Sequence, residues 1–234
     1  QSPENSADTM AYLKSLEEEG KFGRLPQEIE EGHLGRSGRA KAMWVSPDEE
    51  GGTYLETNDN KMTGIAQIVM PFTEDVLGCP LLDRTPALAC LSMTDADEAE
   101  YDVPSATDEE LTEYYETWYR SKLRLIQYFG PKQGTVIMTA KESAPFEGPQ
   151  SEYKLSVGSN TLLLMREDAL EYHYDEPVDG EAGWMQCFLM MPGPSLNFEG
   201  DLTGDFSVLQ DKGMGPPPPT QETCAVVSIA IQCA

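Results

Sequence analysis

The sequence predicts a mainly β, α+β domain: a jelly roll or barrel with its helices gathered at the amino-terminal front. Three observations carry this. Residues 123–129, 135–139, 153–157, 161–165 and 185–191 are short runs of β-branched, aromatic and large apolar side chains. Glycine–proline pairs punctuate them at Gly130-Pro131, Gly148-Pro149 and Gly193-Pro194, where a chain leaves regular structure. Apolar residues at helical spacing fall mostly ahead of these runs.

Taken in order, residues 9–19 place Met10, Leu13 and Leu16 one helical turn apart, with Glu17, Glu18 and Glu19 beside them and Gly20 as a terminator. Ala42-Met43-Trp44-Val45 reads as a strand, and residues 47–52 as an acidic loop. Residues 64–77 are apolar and predict a helix interrupted near Pro71. A buried strand is predicted over 87–92, an irregular acidic stretch over 94–107, and a surface helix rich in Glu and Tyr over 109–119. The five strands follow. Met185, Met190 and Met191 sit with Phe188 and Leu189 and read as core filler, not as a soft-metal site.

The tail differs in composition. Gly213 to Gly215 lead into Pro216, Pro217, Pro218 and Pro219, a stiff extended spacer. Ala225-Val226-Val227-Ser228-Ile229-Ala230-Ile231 then forms a β-branched apolar run. It reads either as the opening of a further domain or as an edge strand returning to the main sheet. The division adopted is 1–212 for the β domain, 213–223 for the linker and 224–234 for the start of a following domain.

The length of 234 residues suffices for one domain with a substantial core. Lys and Arg number 16 against 41 Asp and Glu, giving a formal charge of −25. A field of that sign repels phosphate backbones and anionic lipid, so nucleic acid and membrane insertion are set aside. The acidity serves solubility, or else meets a basic partner surface. Five cysteines at wide spacing, with no CxxC pair and no Asn-X-Ser/Thr sequon, point to an intracellular, reducing compartment, cytoplasm or plastid. No apolar run reaches the ~18–20 residues of a membrane span, and residues 1–8 carry no signal-peptide core.

Several segments, in order, resemble the prolyl-hydroxylase-like iron(II)/2-oxoglutarate oxygenases. They are Leu13-Lys14-Ser15-Leu16 with Gly20-Lys21-Phe22, Arg39 through Val45, Thr85 through Cys90, and Gly158 through Met165 followed by His173 and Pro177. Residues 185–191 would be the closing strand. The resemblance implies a double-stranded β-helix with amino-terminal helices packed on one face. It also implies a metal triad, His-X-Asp plus a distal His, and a basic residue that clamps the cosubstrate. Here Glu100 stands where the first His belongs, Asp102 keeps its place and His173 keeps the distal one. Val178 to Trp184 contains no Arg or Lys. One ligand is thus exchanged and the clamp is missing. Iron(II) and 2-oxoglutarate are cofactors only if a Glu100/Asp102/His173 site works; otherwise no cofactor is expected.

A second resemblance lies in Glu28-Ile29-Glu30-Glu31-Gly32-His33-Leu34-Gly35. It is similar to the Glu-X-Glu-X-Gly-Tyr-Leu-Gly signature ahead of the ketosynthase in single-domain type I polyketide synthases of dinoflagellates. His33 replaces the Tyr. Cys224 through Ala234 resembles the first strand of a ketosynthase. The implied partners are a downstream ketosynthase domain or other polyketide synthase components. Physically, residues Glu28, Glu30, Gly32, His33, Leu34 and Gly35 read as an exposed helix end, with Arg36 and Arg39 placed to pair with the acids.

No Gly-X-Ser-X-Gly elbow, P-loop or Gly-X-Gly-X-X-Gly motif is present. Three functions follow: a non-catalytic docking module, an oxygenase with a Glu/Asp/His site, and a small-molecule-binding barrel. The first is preferred, because function depends on the site and not on the fold.

Overall fold

The computed structural model describes residues 3–45, 53–142, 144, 152–159, 161–177, 181–193 and 229–232. The loop expected over 47–52, the Gly148-Pro149 turn and the 213–223 linker lie outside them.

Five helices, α1 (Pro3–Glu18), α2 (Gln27–Leu34), α3 (Tyr54–Val69), α4 (Thr73–Leu77) and α5 (Asp108–Arg120), accompany ten strands. The strands are β1 (Ala40–Trp44), β2 (Asp83–Arg84), β3 (Leu88–Ser92), β4 (Ser121–Tyr128), β5 (Gly134–Ala140), β6 (Glu152–Val157), β7 (Thr161–Arg166), β8 (Leu170–Asp175), β9 (Gly183–Met190) and β10 (Ile229–Gln232).

Two antiparallel sheets result. The larger runs β1-β3-β9-β4-β7-β10, with β2 beside β9; the smaller runs β6-β5-β8. Ile229–Gln232 pairs antiparallel with β7, Ile229 opposite Leu164. This is the mainly β jelly-roll architecture that the strand rhythm predicts.

Alternation along the strands builds two cores. Leu123 and Leu125 of β4 and Phe129 just past it, with Met185, Cys187 and Leu189 of β9, face outward onto Leu13 and Leu16 of α1 and Leu55 and Met62 of α3. Ile126 and Tyr128 of β4 face inward with Val136, Met138, Val157, Tyr172 and Trp184 and fill the space between the sheets. Each fully buried large side chain contributes roughly 1.5–3 kcal/mol. Asn58 of α3 ties the outer core together, donating to Thr9 Oγ1 at 3.1 Å and accepting from Gln127 Nε2 at 3.1 Å.

Four elements differ from the sequence expectation. The helix predicted over 64–77 begins ten residues earlier, because Thr53 caps α3 by accepting from the Glu56 N–H; it breaks at Pro71 as expected, in a 3-10 turn. The helix predicted over 9–19 begins at Pro3. β8 was not foreseen as a strand. The signature segment is not an exposed helix end: Ile29, Glu30, His33 and Leu34 of α2 are all buried.

Candidate functional site

The inward face of β4 carries a charge at its centre. Arg124 lies between two core leucines, so alternation sends it into the interior, where it is fully buried. Its Nε donates to Glu167 Oε2 at 2.7 Å and its Nη2 to Oε1 at 3.1 Å, a two-pronged pair. Nη1 donates to the His33 carbonyl at 2.9 Å and Nη2 to the Gly32 carbonyl at 2.7 Å. The guanidinium also stacks 4.7 Å from the Phe188 ring and 5.1 Å from the Tyr172 ring. The last carbonyls of a helix have no partner within it and carry its negative end. Arg124 satisfies two of them and thereby pins α2 into the mouth of the barrel. The Gln186 side-chain amide donates to the same His33 carbonyl.

His33 is enclosed by rings. Trp44 meets it edge-on at 5.4 Å, with Tyr114 at 5.6 Å and Phe188 at 5.8 Å. Burial foremost, and the Arg124 charge beside it, push its pKa down to about 4, so it is neutral at pH 7. Deeper in, the Tyr128 and Tyr172 hydroxyls share a 2.9 Å hydrogen bond. Tyr174 packs against Tyr128 and Trp184. Burial raises the pKa of all three phenols. Glu176, just past β8, is raised to about 7 by burial, with Arg39 and Lys41 opposing.

The signature residues form one structural unit. Glu28 Oε2 accepts from the Ala106 N–H at 3.0 Å, reaching toward the start of α5. Glu30 takes both prongs of Arg24, at 3.0 and 3.1 Å. A side chain at Gly32 would overlap the Tyr114 ring of α5, and Leu34 is core. Gly35 has φ +92 and lies against Tyr172, so a Cβ there would overlap the Tyr172 main-chain oxygen. Arg39 does not pair with these acids as expected. It bonds Asp95 at 2.8 Å and Glu98 at 2.6 Å.

The three candidate metal ligands are not brought together. Glu100 and Asp102 are exposed on the loop after a 3-10 turn at Asp97–Ala99. His173 faces away from the interior. It stands opposite Ile137 on β5, whereas its neighbours Tyr172 and Tyr174 stand opposite Met138 and Val136; Tyr172, Met138 and Val136 belong to the inner core. Directly opposed residues share a face, so His173 shares the other one. Its Nδ1 lies 2.7 Å from the Arg36 carbonyl and its Nε2 2.8 Å from Asp175 Oδ1. Among the described residues no three His, Cys, Asp or Glu side chains gather closely enough to hold an ion. As placed among the described residues, Glu100, Asp102 and His173 do not form an iron(II)/2-oxoglutarate site.

Residues 93–107, where the His-X-Asp segment was expected, form no strand. The chain after α2 lies against β8 instead: the Arg36 N–H donates to the Tyr172 carbonyl at 2.8 Å.

Sequence reasoning missed Arg124, Glu167, Gln186 and Glu176. One signal was available: an arginine inside an apolar strand must find a buried partner or leave the strand. Among the described residues no helix is long and apolar enough to cross a membrane.

No protein-family model matches the chain, and no curated protein matches it. Solved structures do. A prolyl-4-hydroxylase from Pseudomonas putida superposes with a TM-score of 0.51 at 11% identity, covering 82% of this chain and 89% of that one. A prolyl hydroxylase from Trichoplax adhaerens, solved with a hypoxia inducible factor oxygen degradation domain peptide fragment, gives 0.54 at 12% identity, covering 80% and 79%. The chain therefore has a prolyl-hydroxylase-like jelly-roll fold.

Proposed function

We propose that this domain is a non-catalytic docking or assembly module on a prolyl-hydroxylase-like scaffold, working beside a polyketide ketosynthase. The observation that carries the non-catalytic part is the Arg124 network. A buried cation, bound by Glu167 and by the carbonyls of Gly32 and His33, stands inside the barrel beside the helix end that plugs it. A catalytic interior needs open positions for substrate and cofactor; here Ile29 and Leu34 of α2 belong to the inner core and Arg124 is taken up by the chain's own carbonyls and Glu167.

The ketosynthase part rests on the resemblance of Glu28 through Gly35 to the dinoflagellate synthase signature; residues 224–234 also resemble a ketosynthase strand, but Ile229–Gln232 here pairs with β7 at the edge of the larger sheet. On this reading residues 213–223 are the spacer between the two functions, and the signature is kept for packing. It joins α2 to α5, β4 and β8, and so shapes the surface that a partner meets.

The test is a calorimetric titration of the full chain with a purified condensing ketosynthase domain of the single-domain synthases. Saturable binding with one-to-one stoichiometry supports the reading; absence of binding at high micromolar concentration contradicts it.

One observation favours a second reading. Both solved neighbours are named as prolyl hydroxylases, so an oxygenase of this fold would need Glu100, Asp102 and His173 to be rearranged into a site.

A further inference from the structure

The outer face of α5 is built unlike an ordinary solvated helix. Tyr115, Trp118 and Tyr119 are 59, 58 and 58% exposed, and spacings of three and four residues make them one patch. They are not what holds the helix down. Leu111 and Tyr114, on the adjoining stripe, pack against the inner core. Behind the patch a row of rings leads inward through buried His33. Tyr115 lies 5.5 Å from Tyr114, Tyr114 lies 5.6 Å from His33, and His33 lies 5.4 Å from Trp44. Trp44 at the far end is itself 46% exposed. Three large exposed rings at helical spacing on one face mark an interaction surface more often than a solvated one.

The charge around the rings is of one sign. Asp108, Glu109, Glu113 and Glu116 lie on the same helix. Its one basic residue, Arg120, is already bonded to Glu116, Asp83 and the Met191 carbonyl. The whole chain carries −25. A partner for this face must therefore bring positive charge and a surface that stacks on rings. Guanidinium groups supply both, because they are planar, weakly hydrated and fork-shaped toward carboxylates. A lysine ammonium supplies only the charge.

We propose that the α5 face docks an arginine-bearing basic segment of a partner protein, its guanidinium groups lying on Tyr115, Trp118 and Tyr119 and drawn there by the carboxylates of the same helix. The proposal deepens the docking reading and rests on it.

The experiment is isothermal titration of the full chain, at moderate salt, with a synthetic peptide of alternating arginine and alanine. The lysine and glutamate versions of the peptide are the controls. The arginine peptide is expected to bind more tightly than the lysine one, and the glutamate peptide not at all. The double variant Tyr115→Ala/Trp118→Ala is expected to weaken arginine-peptide binding by about tenfold, with its thermal melting unchanged because both side chains are largely exposed. Glu113→Gln/Glu116→Gln is expected to weaken it as well.

Equal affinity for the double variant would mean general attraction to an acidic protein. That overturns the α5 site and leaves the docking reading standing. Self-association of the chain in sedimentation, abolished by the same double variant, would make a second copy the occupant and overturn the basic partner. Manganese(II) binding with 2-oxoglutarate turnover would overturn the docking reading itself.

Discussion

The Arg124 guanidinium donates to the main-chain oxygen of His33 at 2.9 Å, fastening the middle of β4 to the last turn of α2. Removing the arginine leaves the Glu167 carboxylate and the Gly32 carbonyl without this donor, while the His33 carbonyl keeps Gln186. Stripping one partner from a buried ion pair costs about 3–5 kcal/mol. Arg124→Ala is therefore expected to lower the unfolding free energy by that amount, read as a lower urea midpoint at an unchanged m-value. Arg124→Met/Glu167→Met, which removes both charges, should cost clearly less, since no charge is then left unpaired. Equal losses in the two variants would mean that packing, not the charge network, holds α2.

His33 gives a pH signature. Its folded pKa, about 4, lies below its ordinary 6.5. The unfolded chain therefore takes up this proton first as pH falls. The stability contributed by neutral His33 is complete above pH 6.5 and is lost as pH drops toward 4. The loss is about 3 kcal/mol at most for a shift of this size. Urea unfolding at pH 7, 6, 5 and 4.5 should show the decline, and His33→Phe should remove that share of it.

Glu176 runs the other way. Its carboxyl is raised to about 7, chiefly by burial. Its favourable contribution is present at low pH and is lost as pH rises through about 7. Glu176→Gln is expected to stabilise the protein at pH 8 and to make little difference at pH 5. Carbon-detected NMR of the carboxyl checks the titration directly, and a midpoint near the ordinary glutamate value would contradict this assignment.

Gly35 sits at φ 92, ψ 176, a region open almost only to glycine, with the Tyr172 carbonyl where a Cβ would go. Gly35→Ala is expected to cost about 3 kcal/mol, strain and overlap together. Gly20 also has positive φ, 74, but faces open space, so Gly20→Ala should cost only about 1 kcal/mol. Thermal melting of the two variants side by side tests the difference.

Much of the scaffold was legible because its signals are local. The strands over 123–129 and 185–191 announce themselves as apolar runs, and Pro71 breaks its helix in any tertiary context. β8 was missed although its alternation is regular: Leu170, Tyr172 and Tyr174 on one face, Glu171, His173 and Asp175 on the other. The same period of two sends His173, the expected metal ligand, to the outer face. The site was less legible still. Arg124 and Glu167 are 43 residues apart and Arg124 and His33 are 91 apart, so only the packed structure brings them together. The acids at Glu28 and Glu30 suggested an exposed helix end, but Arg24 lies six residues before its partner Glu30, and Ala106 lies 78 residues beyond its partner Glu28.

The most direct measurement is calorimetric titration of the metal-free chain with manganese(II), standing in for iron(II), with and without 2-oxoglutarate. A docking module whose barrel is plugged by α2 and occupied by the Arg124 cation gives no saturable one-site heat and no thermal stabilisation. Tight one-to-one binding that Glu100→Ala or His173→Ala abolishes, strengthened by 2-oxoglutarate, would contradict it.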